Sequence, residues 1–181
     1  MNIWFVVGVS GAGKSHFSEY AAGHLGFFHY EIDQTPHNGI THFGLRTQWD
    51  KFLDEFEAGP LIKELTKRAC MSGCPGAILS FPANLLPQIT ADHVEALRGK
   101  VRLIVLTGEP ELCKRAFLQR EQTTGRNYSA SVWEAHNRPL YAVMDQKWIS
   151  PFLLTVFDSG GGRKTVKELV DTVMGANSYL K

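Results

Sequence analysis

The stretch Gly8-Val9-Ser10-Gly11-Ala12-Gly13-Lys14-Ser15 decides how this chain folds. It fits the phosphate-binding loop pattern G-x-x-x-x-G-K-[ST], and its flanks supply the context that the pattern needs. Before it, Ile3-Trp4-Phe5-Val6-Val7 is an unbroken apolar run of strand length; after it, Ser15 to Leu25 carries Phe17, Ala21, His24 and Leu25 at helical spacing. Strand, glycine turn and helix thus fall in register. A triphosphate needs many hydrogen-bond donors at short range, and backbone N–H groups supply them without side-chain entropy. Glycines let the chain curl so that those groups point inward, and the helix that follows adds its positive N-terminal end. Gly8, Ser10, Gly11, Ala12 and Gly13 would form this cradle. Lys14 would reach the β- and γ-phosphates, and the Ser15 hydroxyl would bind Mg²⁺.

Outward from the loop, helical and apolar segments alternate. Gly26 closes a turn, and Phe27-Phe28-His29-Tyr30-Glu31-Ile32 reads as a second strand ending at Asp33, followed by polar chain from Gln34 to Thr41. Helical spacing returns from about Arg46 with Trp49, Phe52, Leu53 and Phe56, is interrupted at Gly59-Pro60, and resumes to about Met71. Ala77 to Phe81 gives a third strand, the chain to Pro87 a loop, and Ala91 to Arg98 a short helix. Val101 to Leu106 gives a fourth strand, and a helix runs from Pro110, a residue suited to the first helical position, to Arg120. The polar segment Glu121 to Asn127 has the composition of a mobile lid. A helix over about 130–147, a fifth strand at Phe152 to Phe157, the turn Gly160-Gly161-Gly162 and a last helix carrying Val166, Leu169, Val170 and Val173 on one face complete the chain. Apolar strands alternating with helices imply an α/β fold: a parallel sheet covered on both faces. The 181 residues are expected to form one domain, with a lid at about 120–130.

Nineteen basic residues against eighteen acidic ones leave a formal charge of +1 at pH 7, which argues against nucleic acid or a membrane surface as partner. The aromatics lie at core spacing and offer no stacking platform. The first apolar run is too short to span a bilayer and lacks the features of a signal peptide. Cys70, Cys74 and Cys113 are an odd number, which suits reduced thiols, and a cytoplasmic protein is expected, as monomer or homodimer. The Cys70/Cys74 pair has no second pair to complete a zinc site, and His29, His37 and His42 fit no familiar ligand spacing.

Two further groups bear chemistry. Glu31 and Asp33 end the second strand, at the sheet edge where ligands bind in open α/β folds. Phosphoryl transfer to an alcohol needs a carboxylate to orient or deprotonate the hydroxyl and to help hold Mg²⁺. Asp33 is the candidate for the catalytic, metal and acceptor contacts, with Glu31 supporting it. Arg120 and Arg126 bracket the lid, Arg126 as a catalytic charge over the transferring group and Arg120 on the nucleotide. Arg115 points elsewhere on its helix. Arg138, in Asn137-Arg138-Pro139-Leu140-Tyr141, is a candidate clamp for a substrate carboxylate or phosphate.

Over nearly its whole length the chain resembles the small-molecule kinases of the P-loop superfamily, the group of shikimate, gluconate and nucleoside monophosphate kinases. Glu31-Ile32-Asp33 is similar to the acid-x-acid motif of shikimate and gluconate kinases, and Arg138-Pro139-Leu140-Tyr141 to the Arg-Pro-Leu-Tyr segment of shikimate kinases. Ser80-Phe81-Pro82-Ala83-Asn84 stands where shikimate kinases have a glycine triplet. The resemblance implies a three-layer P-loop fold whose five-stranded parallel sheet has the order 2-3-1-4-5, with an arginine-bearing lid. It implies an ATP- and Mg²⁺-dependent kinase acting on a hydroxyl of a small polar, anionic molecule. The alternatives are a nucleotide or nucleoside kinase, and a nucleotide-binding regulatory module without an acceptor.

Overall fold

The computed structural model describes residues 1–32 and 43–176. Asp33, His37 and His42 lie outside the described residues. The sheet has five parallel strands in the order β2-β3-β1-β4-β5, the order that the resemblance implies. They are β1 (Asn2–Gly8), β2 (Phe28–Glu31), β3 (Gly76–Ser80), β4 (Arg102–Thr107) and β5 (Leu153–Thr155). β1 is central, with Trp4 opposite Ile78 on one side and Arg102 on the other.

Apolar side chains on both faces of β1 explain its place. Trp4 and Phe5 are 2% and 1% exposed, and as strand neighbours they point to opposite faces. Trp4 stacks with Phe17 of α1 (Lys14–Leu25) at 6.4 Å and meets Phe27 edge-on at 5.5 Å. Phe5 meets Trp49 and Phe52 of α2 (Phe43–Glu55) at 6.0 and 6.3 Å. Each aromatic pair at such distances adds about 0.5–1.5 kcal/mol to its area burial. The remaining helices are α3 (Ala58–Met71), α4 (Ala91–Leu97), α5 (Pro110–Thr123), α6 (Ala130–Met144) and α7 (Val166–Gly175). Among the described residues, no helix is long and apolar enough to cross a membrane.

β5 is shorter than the expected Phe152 to Phe157, α6 stops at Met144 rather than near 147, and three further boundaries differ from the sequence reading. The break between α2 and α3 falls at Phe56-Glu57, where Phe56 takes the left-handed φ of 59°, rather than at Gly59-Pro60. Gly59 and Pro60 sit in the first turn of α3, where a missing proline N–H costs no hydrogen bond. Phe56 is accordingly exposed rather than core, its ring 4.3 Å from that of His93. The segment before Pro87 is a 3₁₀ helix, Ala83–Gln88. α5 continues past Arg120 to Thr123 and ends where Gly125 turns with φ 72°, so the first part of the expected lid is helical.

Candidate functional site

At the carboxyl end of β1 the chain curls back on itself. Gly11 and Gly13 have φ of 96° and 88°, which side-chain-bearing residues rarely adopt. A Cβ on Gly11 would lie 2.0 Å from the carbonyl oxygen of Cys113, so the loop also needs glycine to approach the α5 backbone. Gly13 is the cap of α1, and no side-chain hydrogen bond closes that end. The first-turn N–H groups are thus left for a ligand.

Lys14 and Ser15 converge on one carboxylate. The Lys14 ammonium donates to Glu31 Oε1, and the Ser15 hydroxyl lies 3.1 Å from the same oxygen. Glu31 closes β2 and is buried. Burial alone would push its carboxyl up, but the hydrogen bond and charge of Lys14, with Ser15 and His29, bring it below its ordinary value of 4.5. The stability that this pairing contributes is present above 4.5 and lost as pH falls through the lowered folded value.

Two residues back, His29 Nε2 is 2.8 Å from Ser80 Oγ on β3. Burial holds this imidazole below its ordinary 6.5, the charge of Glu31 opposing and that of Lys14 assisting. The unfolded chain therefore takes up the proton first. Stability is present above 6.5 and lost as pH falls through the lowered folded value. Urea midpoints at about pH 7.5 and about pH 5 are expected to differ, the acid one lower, and the gap to shrink in His29→Gln. An unchanged gap in that variant would place the sensitivity elsewhere.

The third support is α6. Ser10 N–H donates to Asn137 Oδ1 at 2.8 Å, and Trp133 Nε1 donates to the Ser10 carbonyl at 2.8 Å. Asn137 Nδ2 in turn donates to the Trp133 carbonyl at 2.7 Å. Asn137 is fully buried, with donor and acceptor both used, so α6 grips both backbone groups of Ser10. Behind the loop, burial pushes the Cys113 thiol up to about 11, which makes it a packing residue rather than a nucleophile.

Four cations line the resulting cleft of about 830 Å³: Lys14, Arg120, Arg126 and Arg163. Arg120 lies over the Phe117 ring at 5.2 Å, and Arg163, from the turn after β5, lies over Phe157 at 5.8 Å. A Cβ on Gly13 would come 2.3 Å from Arg163 Nη2, so this guanidinium rests on the end of the glycine loop.

No family model matches the sequence. A curated relative, the pentafunctional AROM polypeptide of Yarrowia lipolytica (strain CLIB 122 / E 150), is 21% identical over 179 residues, or 97% of this chain. The chain spans 11% of that polypeptide's length. A gluconokinase from Sinorhizobium meliloti 1021 has a TM-score of 0.54 at 16% identity, over 98% of this chain and 95% of that one. The shikimate kinase of Acinetobacter baumannii in complex with shikimate has a TM-score of 0.54 at 18% identity, over 100% and 96%. The fold is that of the P-loop kinases.

Within that fold, the residues expected on the nucleotide do meet. Gly8, Ser10, Gly11, Gly13, Lys14, Ser15, Arg120 and Arg126 all line the cleft, while Ala12 is buried in the loop behind it. The Ser10 N–H is already donated to Asn137, so Ser10 braces the loop. Asp33 lies outside the described residues. Arg138 is exposed on α6 and does not line the cleft; the inward position belongs to its neighbour Asn137. Glu31, expected in a supporting place, touches both Lys14 and Ser15 directly. Sequence reasoning missed Asn137 and Trp133, and it took the loop 158–163 as a border of the nucleotide base without expecting Arg163 against the glycine loop. Their signals, one polar residue on a helix face and one arginine after three glycines, recur too often to single out a site.

Proposed function

We propose that the protein is a kinase that uses ATP with Mg²⁺ to phosphorylate a hydroxyl of a small polar, anionic metabolite, as a gluconokinase or shikimate kinase does. The observation that carries this reading is the meeting of Lys14, Ser15 and Glu31 beneath a glycine cradle, with three arginines across the same cleft. The donor set fits Mg²⁺, which favours hard oxygen ligands such as the Ser15 hydroxyl and the Glu31 carboxylate, a water-bridged contact included. When bound there, the ion would neutralise charge on the β- and γ-phosphates. Lys14 has three donors and uses one on Glu31, leaving others for phosphate oxygens. Arg126 and Arg163 would draw on the charge that spreads over the transferring group, and Arg120 would hold the nucleotide.

Asp33 follows Glu31 by two residues and is proposed to receive the acceptor. The acceptor oxygen bonds to the γ-phosphorus as the bond from that phosphorus to the β–γ bridging oxygen breaks. The hydroxyl proton passes to the Asp33 carboxylate, and the electron pair leaves with ADP. An anionic acceptor suits a cleft whose cations outnumber its carboxylates.

The test is ADP release from MgATP by the purified protein, with separate pools of sugar acids and hydroxylated carboxylates, and of nucleosides and nucleotides. Stimulation by the acid pool is expected. Asp33→Asn should remove nearly all of it while ATP binding persists, and Lys14→Ala should weaken both. Stimulation by the nucleoside pool alone would replace the acceptor class. ATP binding with no stimulation by any pool would make the chain a nucleotide-dependent regulator instead.

A further inference from the structure

Glu121 lies buried between Arg120 and Arg126. Its carboxylate is 2% exposed, whereas the two arginines it holds are 57% and 67% exposed. Arg120, the residue before it, places Nε and Nη2 on Oε1 at 2.8 and 2.5 Å. Arg126, five residues on, faces Oε2 with Nη1 at 3.6 Å. Oε2 is buried and has no hydrogen bond within normal distance among the described residues. The backbone closes the same circle: Arg126 N–H donates to the Glu121 carbonyl at 2.9 Å, and the Thr124 hydroxyl donates to it at 3.0 Å.

A carboxylate is expensive to bury, and a surface acid between two arginines would have served for solubility alone. Burial of the acid with its bases turned outward is the arrangement of an anchor. Both guanidiniums line the cleft, and Arg120 keeps Nη1 clear of Glu121. Its plane is fixed by two bonds to one oxygen, whereas Arg126 is tethered by one longer contact and has room to move.

From this geometry we infer that Glu121 is the positioning residue of the lid: it fixes Arg120 and holds Arg126 within reach of the terminal phosphate of a bound nucleoside triphosphate. The inference rests on the nucleotide-site reading above. Arg126 exchanges its loose contact with Oε2 for a phosphate oxygen, while Arg120 stays in place and keeps Glu121 paired. Glu121 itself touches no ligand.

The test is equilibrium binding of MgATP and MgADP to the full chain by calorimetry, in the wild type, Glu121→Gln, Arg126→Ala and the double variant, with thermal unfolding as a control on the fold. Glu121→Gln is expected to lose about tenfold in MgATP affinity, the scale of one charge-assisted hydrogen bond, with a smaller loss for MgADP. Arg126→Ala should cause a similar selective loss, and the double variant little more than either alone, because both remove one contact. A mere structural defect would lower both affinities alike and leave that selectivity unchanged, which would overturn the inference. Tighter MgATP binding in Glu121→Gln would also overturn it, by making the acid a competitor for the arginines. Should that variant unfold, Glu121→Asp keeps the charge but shortens the arm, and must show the same selective loss. A wild type that binds neither nucleotide would instead sink the nucleotide-site reading itself.

Discussion

On the proposed kinase reading, Glu31→Gln is expected to lower phosphoryl-transfer turnover by roughly a hundredfold or more, with the fold intact. Glutamine keeps the shape and can still pair with the Ser15 hydroxyl, but it removes the charge that Lys14 meets and that a magnesium ion would share. The sign of a second measurement separates these effects. With the metal chelated, the variant is expected to bind ATP as well as or better than the wild type, because Lys14 is no longer neutralised. With Mg²⁺ present, the gain in affinity that the ion gives the wild type should shrink. Turnover within a few-fold of wild type would remove Glu31 from the reaction. Weaker binding in the chelated state would mean that the acid mainly holds Lys14 in place.

Gly11→Ala is expected to have the largest effect on stability. The left-handed backbone costs an alanine about 1–2 kcal/mol. The added Cβ also meets a backbone carbonyl, Cys113 O, at 2.0 Å, which no rotamer change relieves. Together they should cost at least about 3 kcal/mol, or roughly 10 °C in the unfolding midpoint of a chain this size. Relief requires α5 to move away, and α5 carries Arg120, so nucleotide binding should fall with stability. Gly23→Ala is the matched control: it lies in α1, where a Cβ would meet no atom within 4 Å, and there alanine should be neutral or slightly stabilising. A Gly11→Ala protein that unfolds like the wild type would mean that the loop does not pack on α5 as described.

Much of the architecture was legible because the signals are local. The apolar runs around Phe5, Leu79 and Ile104 are short, bounded by turn residues and without polar alternation, the pattern of strands buried on both faces. The glycine loop is read from residues that serve one chemistry. Where the reading slipped, a longer-range condition decided. Gly59-Pro60 looked like a breaker, yet a proline in the first turn of α3 forfeits nothing, and the break moved to Phe56. Glu121 looked like part of a polar loop until tertiary structure buried it between two arginines. Asn137 and Arg138 are neighbours on one helix, and nothing local says which turns inward. The hydrogen bond to Ser10, 127 residues away in the chain, identifies it as Asn137.

The grip of α6 on Ser10 also equips the protein with an optical gauge. Of its four tryptophans, Trp4 and Trp49 are sealed in the core and Trp148 pairs with Gln146 in the turn after α6. Trp133 alone has its indole N–H on the glycine loop. Emission from this ring depends on that bond, so a ligand that shifts the loop changes the colour or intensity of one identifiable fluorophore without any label attached. Stopped-flow mixing can then time the loop's response separately from the chemistry that follows.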